Sequence, residues 1–151
     1  MADADGFKRC NDVGGHLHGD EVLRLMAHAL RGACRATDLV GRLGGDEFLV
    51  VLFDANGEGV RRLVEAAHES LSRMRALAKD PNLPLPYLSF GAAFLPEHGS
   101  TMEELVRVAD HAMYRVKQRG GRSWEIGTAA DAMAPSPTAA LPAAGETAAG
   151  S

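Results

Sequence analysis

Two glycines followed by two carboxylates, Gly44-Gly45-Asp46-Glu47, are the residues of this 151-residue chain whose types and spacing most clearly suggest chemistry. Adjacent carboxylates repel each other, and a two-residue hairpin turn ordinarily favours Asn-Gly or Asp-Gly, so folding alone does not explain them. The glycines leave the backbone open where it must turn sharply or where a ligand must approach closely. An open acidic turn suits Mg²⁺, which favours one or two carboxylates together with substrate phosphates. A solvated acidic turn is the alternative, because such turns are common.

Two more polar clusters lie near the start of the chain. One is Asp3-Ala4-Asp5-Gly6-Phe7-Lys8, and the other begins at Asn11 and ends at Asp20. Single residues of these types also have structural interpretations: Asn11 suits a turn, and Asp20 would cap the helix that follows it. Lys117 stands near the predicted end of a helix, where the helix dipole favours a cation. Taken one at a time, these residues leave both interpretations open.

The elements that must position these side chains follow from hydrophobic periodicity. Apolar side chains three and four residues apart predict helices over about 20–36, 60–74 and 102–116. Short apolar runs predict strands at 39–43, 48–53, 87–94 and 123–126. The pattern Ser100-x-x-Glu103 predicts a capping box at the start of the third helix. This order of elements predicts an α+β fold with helices packed on an antiparallel sheet.

Composition limits the class of protein. Residues 1–126 carry the apolar side chains and are predicted to form one domain, whereas the Ala- and Pro-rich segment 127–151 is predicted to be a disordered tail. The net charge of -4 argues against nucleic acid as a partner, because phosphate backbones select clustered Lys and Arg. No apolar run approaches the roughly 18–20 residues of a membrane span. Cys10 and Cys34 lack metal-site spacing, so we expect reduced thiols in a cytoplasmic protein.

Five ordered blocks of the sequence resemble the successive motifs of the GGDEF family of diguanylate cyclases. They are Asp3-Ala4-Asp5-Gly6-Phe7-Lys8-x-x-Asn11-Asp12, Gly15-His16-x-x-Gly19-Asp20, Arg42-Leu43-Gly44-Gly45-Asp46-Glu47-Phe48, Ser89-x-Gly91 and Ala109-Asp110-x-Ala112-x-Tyr114-x-x-Lys117. A single pentapeptide would be a moderate signal, whereas five blocks in the family's order and spacing are a strong one. The blocks span nearly the whole predicted domain.

The resemblance implies a fold like that of nucleotide cyclases and polymerase palms. It also implies that two GTP molecules are condensed into cyclic di-GMP with release of pyrophosphate, each half-site coming from one subunit of a homodimer and using two Mg²⁺ ions. By position, Asp3 and Asp46 correspond to the ligands of these ions, helped by the carbonyl group of Ala4. Glu47 corresponds to a further metal-site carboxylate or to the catalytic base, and these two roles stay open.

The same correspondence supplies the expected nucleotide contacts. Backbone amides of Phe7 and Lys8 correspond to groups that bind the phosphates, and Lys117 to a contact with the terminal phosphates. Asn11 and Asp20 correspond to the residues that read guanine. The chemistry is suitable, because a carboxylate accepts from the N–H groups of guanine and an amide both donates and accepts.

A further pattern, Arg35-Ala36-Thr37-Asp38, ends the first predicted helix shortly before the glycine turn. In the family, Arg-x-x-Asp at this offset is the product-inhibition site, where arginine stacks on guanine and pairs with phosphate. A helix-terminal Arg35 followed by a turn residue Asp38 is the structural alternative.

The sequence departs from the family pattern in two places. The family has a helix-loop segment and most of a first strand before the position of Asp3, so this first helix and first strand are expected to be largely missing. The family's Lys-x-x-Gly-Arg-Asn pattern reads Lys117-Gln118-Arg119-Gly120-Gly121-Arg122 here. Gly121 therefore stands in the place of the arginine, and Arg119 and Arg122 become candidates for the lost phosphate contact.

Two other functions compete with catalysis. One is a non-catalytic GGDEF module that binds GTP or cyclic di-GMP and signals through contacts, and the intact Asp46-Glu47 pair argues against it. The other is a different palm-type nucleotidyltransferase or nucleotide-binding regulator. Asn11 together with Asp20 favours guanine over adenine as the base that is bound.

Overall fold

The computed structural model describes residues 1–78, 82–135 and 137. Within them lie five strands and three α-helices, followed by a short 3₁₀ helix at Ala129–Met133. In chain order the elements are β1 (Ala2–Ala4), α1 (Phe7–Ala33), β2 (Leu39–Gly44), β3 (Glu47–Val51), α2 (Gly57–Ala76), β4 (Leu88–Ala92), α3 (Met102–Gln118) and β5 (Trp124–Ile126). The predicted α+β class is confirmed.

The strands form one sheet in the order β2-β3-β1-β4-β5, so the short strand β1 lies at its centre. β1 is antiparallel to both neighbours, with Asp3 opposite Glu47 on β3 and opposite Ser89 on β4. β5 pairs with β4 in parallel, a detail that the sequence prediction of an antiparallel sheet did not contain. The physical reason is that α3 lies between these two strands in the chain and carries it back to the same end of the sheet.

Alternation along the strands sends neighbouring side chains to opposite faces of the sheet. One set packs with α1 and α2 in the main core and includes Ala2, Ala4, Phe48, Leu88 and Phe90. The other face of the sheet lies against α3. A Cβ atom at Gly91 would lie 1.9 Å from the carbonyl oxygen of Ala109, so the backbone of α3 rests directly on β4.

The second and third predicted helices are confirmed as α2 and α3, and each has a side-chain cap. Asn56 accepts a hydrogen bond from Gly59 N at the start of α2. The capping box of α3 is formed by Thr101 and Glu104, one residue later than predicted. Glu104 accepts from the amides of both Ser100 and Thr101, which satisfies two donors that the helix leaves free.

Helix α1 differs most from the prediction, because it begins at Phe7 rather than near residue 20 and ends at Ala33 rather than residue 36. It is kinked at Gly15, which has φ 74° and ψ 173°. Glycine is a poor helix former, so the Gly14-Gly15 pair interrupted the sequence signal, although the helix continues on both sides. Asp20 therefore lies inside a helix, and its interpretation as an N-cap is wrong.

Part of the segment assigned to the tail is folded onto α3. The amide of Gly127 donates to Ala92 O at 2.8 Å, and Arg115 donates to both carboxylate oxygens of Asp131 at 2.8 and 3.0 Å. Residues 136 and 138–151 lie outside the described residues, so the predicted disorder there stays a prediction. Among the described helices, none combines the length and the apolar character needed to cross a membrane.

Candidate active site

The polar centre of the domain lies where β1 meets the β2–β3 turn. Asp3 is buried on the central strand, with Glu47 directly opposite it and Asp46 in the adjoining turn. Lys117, on the last turn of α3, donates to Asp3 Oδ1 and forms an ion pair with it. Burial raises the pKa of Asp3 to about 6; Lys117 opposes this shift, while the charges of Asp46 and Glu47 add to it. The three carboxylates are therefore close enough to repel one another.

The carboxylates of Asp3, Asp46 and Glu47 suit a cation, although they do not form a complete coordination site by themselves. Among the described residues, no three His, Cys, Asp or Glu side chains come close enough to form a metal site by themselves. Mg²⁺ does not require one, because it is commonly held by one or two carboxylates and completed by water and substrate phosphates. A buried Asp3 whose neighbours are also acidic is a position where a cation would relieve repulsion.

The glycine turn lies open beside these carboxylates. A Cβ atom at Gly44 or Gly45 would meet nothing within 4 Å, so packing requires neither glycine. Gly45 has φ 52°, a conformation that glycine adopts without strain, and its carbonyl accepts from Arg42 Nε at 2.8 Å. The turn thus leaves free space at Gly44 and Gly45, next to Asp46 and Glu47 in the chain, and a ligand can approach the backbone there.

The start of α1 follows directly after β1 and brings unpaired amides to the same place. Gly6 is the N-cap, with φ 76° and no side-chain hydrogen bond. Phe7 and Lys8 are the first helical residues, and amides at this position have no partner within their helix. Such a helix start favours phosphate groups, so the geometry agrees with the role predicted for Phe7 and Lys8.

Asn11 and Asp20, the predicted guanine contacts, lie on the two sides of the kink in α1. A Cβ atom at Gly19 would lie 2.0 Å from Asn11 Oδ1 and 3.2 Å from the ring of Phe7. The Asn11 side chain therefore lies against the backbone of the residue just before Asp20. The kinked helix thus brings Asn11 next to the backbone at Gly19, although seven residues lie between them in sequence.

Asp5 lies next to the site, and sequence analysis assigned it no role. Its carboxylate accepts from Ser89 Oγ at 2.6 Å and from Arg122 N at 2.9 Å, so it joins the β1–α1 turn to β4 and to the loop after α3. A Cβ atom at Gly121 would lie 2.6 Å from Asp5 Oδ2, and Gly121 has φ 71°. The close approach of Asp5 thus explains why glycine stands where the family has arginine.

The two arginines considered as substitutes for that family arginine make other contacts. The guanidinium of Arg122 stacks on the ring of Tyr87, 4.2 Å from its centroid. Arg119 forms an ion pair with Glu125 on β5. Tyr87 is distant from Arg122 in sequence, so the motif alone could not reveal that contact, whereas Glu125 follows Arg119 by only six residues.

The predicted inhibitory residues form a small site at the end of α1. Asp38 is buried, and its carboxylate accepts from Arg35 N at 2.8 Å and Phe53 N at 3.3 Å, which closes the turn. The exposed side chain of Arg35 lines a cavity of about 70 Å³ together with Arg62 of α2. Sequence analysis missed Arg62, because an arginine on the polar face of an amphipathic helix carries no local signal.

Fold and site together define an α+β domain with a buried acidic centre, a helix start beside it and an open glycine turn. Residues 1–123 match the profile of the family described as "Diguanylate cyclase, GGDEF domain". The diguanylate cyclase DosC of Escherichia coli (strain K12) is 36% identical over 126 residues, covering 83% of this chain and 27% of DosC. Diguanylate cyclase TpbB of Pseudomonas aeruginosa PAO1 is 42% identical over 123 residues, covering 80% of this chain and 28% of TpbB. The chain belongs to the GGDEF family.

Solved structures agree with the assignment. The isolated GGDEF domain of TpbB from Pseudomonas aeruginosa has a TM-score of 0.75 and 37% identity, over 86% of this chain and 76% of that one. The GGDEF domain of DgcB from Caulobacter crescentus, solved in complex with cyclic di-GMP, has a TM-score of 0.71 and 27% identity, over 83% of this chain and 74% of that one. The chain spans little more than a quarter of the length of the curated relatives.

Proposed function

We propose that this domain is a diguanylate cyclase, which works in the cytoplasm as a homodimer and condenses two GTP molecules into cyclic di-GMP. In each of two steps a ribose 3′-oxygen attacks the α-phosphorus of the other nucleotide, loses its proton, and displaces one pyrophosphate. The observation that carries the proposal is the position of Asp3. It lies buried on the central strand, opposite Glu47 and paired with Lys117, and the start of α1 follows it closely in the chain.

The triphosphate is held by groups from both ends of the domain. Backbone amides of Phe7 and Lys8 donate to phosphate oxygens at the start of α1. Lys117 supplies a cation from α3. Asp3, Asp46 and the carbonyl of Ala4 are the groups that would hold two Mg²⁺ ions. When bound, these ions would neutralise phosphate charge and would lower the pKa of the attacking 3′-hydroxyl.

Guanine is read on α1, where the kink at Gly15 brings Asn11 beside the backbone that precedes Asp20. A carboxylate at Asp20 accepts from the ring and exocyclic N–H groups of guanine, and the Asn11 amide donates to or accepts from its edge. Adenine presents a different donor and acceptor pattern. The site therefore selects GTP over ATP.

The 3′-hydroxyl must lose a proton, and the carboxylates of the β2–β3 turn stand where this proton can be received. Glu47 lies opposite Asp3, and Asp46 is next to it in an open turn. Either carboxylate can accept the proton or hold the cation. We therefore assign both roles to the pair Asp46 and Glu47, without dividing them between the two residues.

The test is cyclic di-GMP production from GTP and Mg²⁺ by Asp46→Asn. We expect loss of product formation with the fold intact, because asparagine keeps the size of aspartate and removes only its charge from this open turn. Asp54→Asn is the matched control, since Asp54 is an exposed acidic residue just after β3. Full activity of Asp46→Asn would refute the metal assignment. Binding of GTP by the unsubstituted chain without turnover would favour the non-catalytic module instead.

We also propose that cyclic di-GMP binds at Arg35 and inhibits the reaction. The DgcB domain in the comparison was solved with this dinucleotide, although that fact concerns DgcB alone. Here the supporting features are the exposed guanidinium of Arg35, the neighbouring Arg62, and a turn fixed by Asp38. Two guanidinium groups on one cavity suit the phosphates and guanines of a cyclic dinucleotide.

A further inference from the structure

Helix α1 bends within a segment that packing leaves almost free. Gly15 has φ 74° and ψ 173°, which breaks the helical geometry, and Gly14 before it is also a poor helix former. Around this kink the side chains of Val13, His16 and Leu17 are exposed. Neither helix propensity nor burial of these three side chains therefore fixes the angle between the two halves of α1.

The angle matters because the proposed guanine contacts lie on opposite sides of the kink. Residues 11 and 19 would be about 12 Å apart along a straight helix. Here a Cβ atom at Gly19 would lie 2.0 Å from Asn11 Oδ1. A different bend would move Asn11 away from the backbone that precedes Asp20.

His18, just after the kink, has a half-buried side chain and occupies one of the two unspecified positions between His16 and Gly19 in the second sequence block. A Cβ atom at Gly14 would lie 2.5–2.6 Å from the Cβ, Cγ and Cδ2 atoms of His18, so this side chain lies directly on the backbone before the kink. Its Nε2 atom lies 2.9 Å from the carbonyl oxygen of Pro84, in the loop between α2 and β4. Because a carbonyl oxygen only accepts hydrogen bonds, Nε2 carries the proton and donates it. His18 thus joins both sides of the kink to a third segment.

The loop that receives this hydrogen bond is itself fixed. Arg75 on α2 donates to Leu85 O at 2.6 Å, and its guanidinium stacks on the ring of Tyr87, 4.2 Å from the centroid. Tyr87 O in turn accepts from Asp5 N at 2.9 Å. Pro84 is therefore a firm anchor, one residue before a carbonyl group that α2 holds in place.

We propose that His18 is a positioning residue for guanine recognition. Its hydrogen bond to Pro84 O sets the bend of α1 at which Asn11 and Asp20 both face the base. Without this anchor the glycine pair lets α1 adopt other bends, and the contact of Asn11 with the base is lost. The role rests on the proposed function, since only a guanine-binding domain needs it. His18 acts through Asn11 and does not touch the nucleotide.

The test compares nucleotides with a ligand that has no base. The ligands are 3′-deoxy-GTP, which cannot react because it lacks the attacking hydroxyl, 3′-deoxy-ATP and inorganic triphosphate. They are titrated calorimetrically, with Mg²⁺, into the full chain and its variants. His18→Leu should weaken binding of 3′-deoxy-GTP about fivefold, the equivalent of one lost hydrogen bond, and should leave the affinity for triphosphate within about twofold.

Two substitutions show whether the hydrogen bond is the cause. His18→Gln should restore the affinity for 3′-deoxy-GTP to within about twofold of the original, because its amide nitrogen can donate to Pro84 O in place of Nε2. His28→Leu is the matched control, since His28 is an exposed histidine of the same helix. It should change neither affinity.

Gly14→Ala tests the same contact from the other side of the kink. The new Cβ atom would lie 2.6 Å from the Cβ atom of His18, and two atoms bonded to the backbone cannot separate unless the bend changes. Because alanine favours the helix, the variant should fold, yet it should bind 3′-deoxy-GTP about fivefold more weakly, with the affinity for triphosphate unchanged. Gly32→Ala, whose new methyl group meets nothing within 4 Å, is its control. Circular dichroism checks the folding of every variant.

Failure of this role and failure of the proposed function give different results. If the unsubstituted chain binds 3′-deoxy-GTP no more tightly than 3′-deoxy-ATP, the guanine site is wrong and the role of His18 is wrong with it. If the unsubstituted chain prefers the guanine nucleotide and both His18→Leu and Gly14→Ala keep this preference, only the role of His18 is wrong. Equal losses for 3′-deoxy-GTP and triphosphate in His18→Leu also overturn the role, because they indicate general damage to the domain. If His18→Leu does not fold, Gly14→Ala decides.

Discussion

The substitution Gly19→Ala tests the proposed guanine site, because it should disturb the Asn11 side chain without destabilising the helix that carries it. Gly19 is buried in α1, and the Oδ1 atom of Asn11 lies where the new Cβ atom would be, only 2.0 Å from it. Ordinary contact begins at 3.4 Å, so the Asn11 amide must move by about 1.4 Å. A hydrogen bond of about 2.9 Å does not survive a displacement of that size.

Gly19→Ala should have little effect on the free energy of unfolding but a large effect on the affinity for GTP. Alanine is favoured over glycine within a helix by about 1 kcal/mol, and the contact with the Phe7 ring at 3.2 Å offsets part of this gain. The free energy of unfolding should therefore stay within about 1 kcal/mol of its original value. Loss of the Asn11 contact with guanine should weaken GTP binding about tenfold.

The assay is titration calorimetry of GTP binding with Mg²⁺, accompanied by urea unfolding. Gly32→Ala is the matched control, because it adds the same methyl group to the same helix at a position with nothing within 4 Å. It should leave GTP affinity unchanged. In an Asn11→Ala background, Gly19→Ala should change affinity by no more than about twofold, because its effect acts through Asn11. A tenfold loss in both backgrounds, or no loss in either, would refute the role of Asn11.

Three other outcomes follow from contacts in the fold and the site. Gly91→Ala should destabilise the domain by about 3 kcal/mol and lower the melting temperature by roughly 6–12 °C in calorimetry, because the new methyl group meets the backbone of α3. Asp131→Asn should cost about 1–2 kcal/mol in urea unfolding at neutral pH, because Arg115 lowers the pKa of Asp131 to about 2. The pKa of Asp131 in the folded state lies below its ordinary value of 3.8, so the stabilisation is complete above pH 3.8 and is lost as the pH falls through 2. An acid unfolding curve that is unchanged in the variant would contradict this expectation. Arg35→Ala should relieve inhibition of cyclic di-GMP synthesis by added product, and an unchanged inhibition curve would remove Arg35 from that site.

The parts of the fold that sequence predicted well are those with local signals. Helices α2 and α3 carry regular apolar stripes, and the β2–β3 hairpin is marked by its glycines. The predicted capping box lies one residue before the observed one, because the sequence contains two overlapping patterns that fit the motif equally well, Ser100-x-x-Glu103 and Thr101-x-x-Glu104.

The parts that sequence missed depend on contacts between distant residues. The first turns of α1 have weak helix formers and a glycine pair, and burial of Cys10 against the sheet outweighs that weakness. The hydrogen bonds that Asp5 accepts from Ser89 and Arg122 join three separate segments of the chain. Residues 127–133 were assigned to the tail because Met133 is their only large apolar side chain, yet an ion pair between Asp131 and Arg115 anchors them to α3. Neither periodicity nor composition contains such information.

The backbone of α3 rests directly on β4 at Gly91, with no side chain between them. This contact makes the geometry of the acidic centre insensitive to substitutions of side chains in the core. The contact between the two backbones sets the distance between α3 and the sheet, and Lys117 lies in the last turn of the same helix. Buried side chains such as Val108 and Met113 fill space around this fixed point without defining it. Aliphatic substitutions along α3 of this chain should therefore change its melting temperature while leaving the ion pair between Lys117 and Asp3 in place.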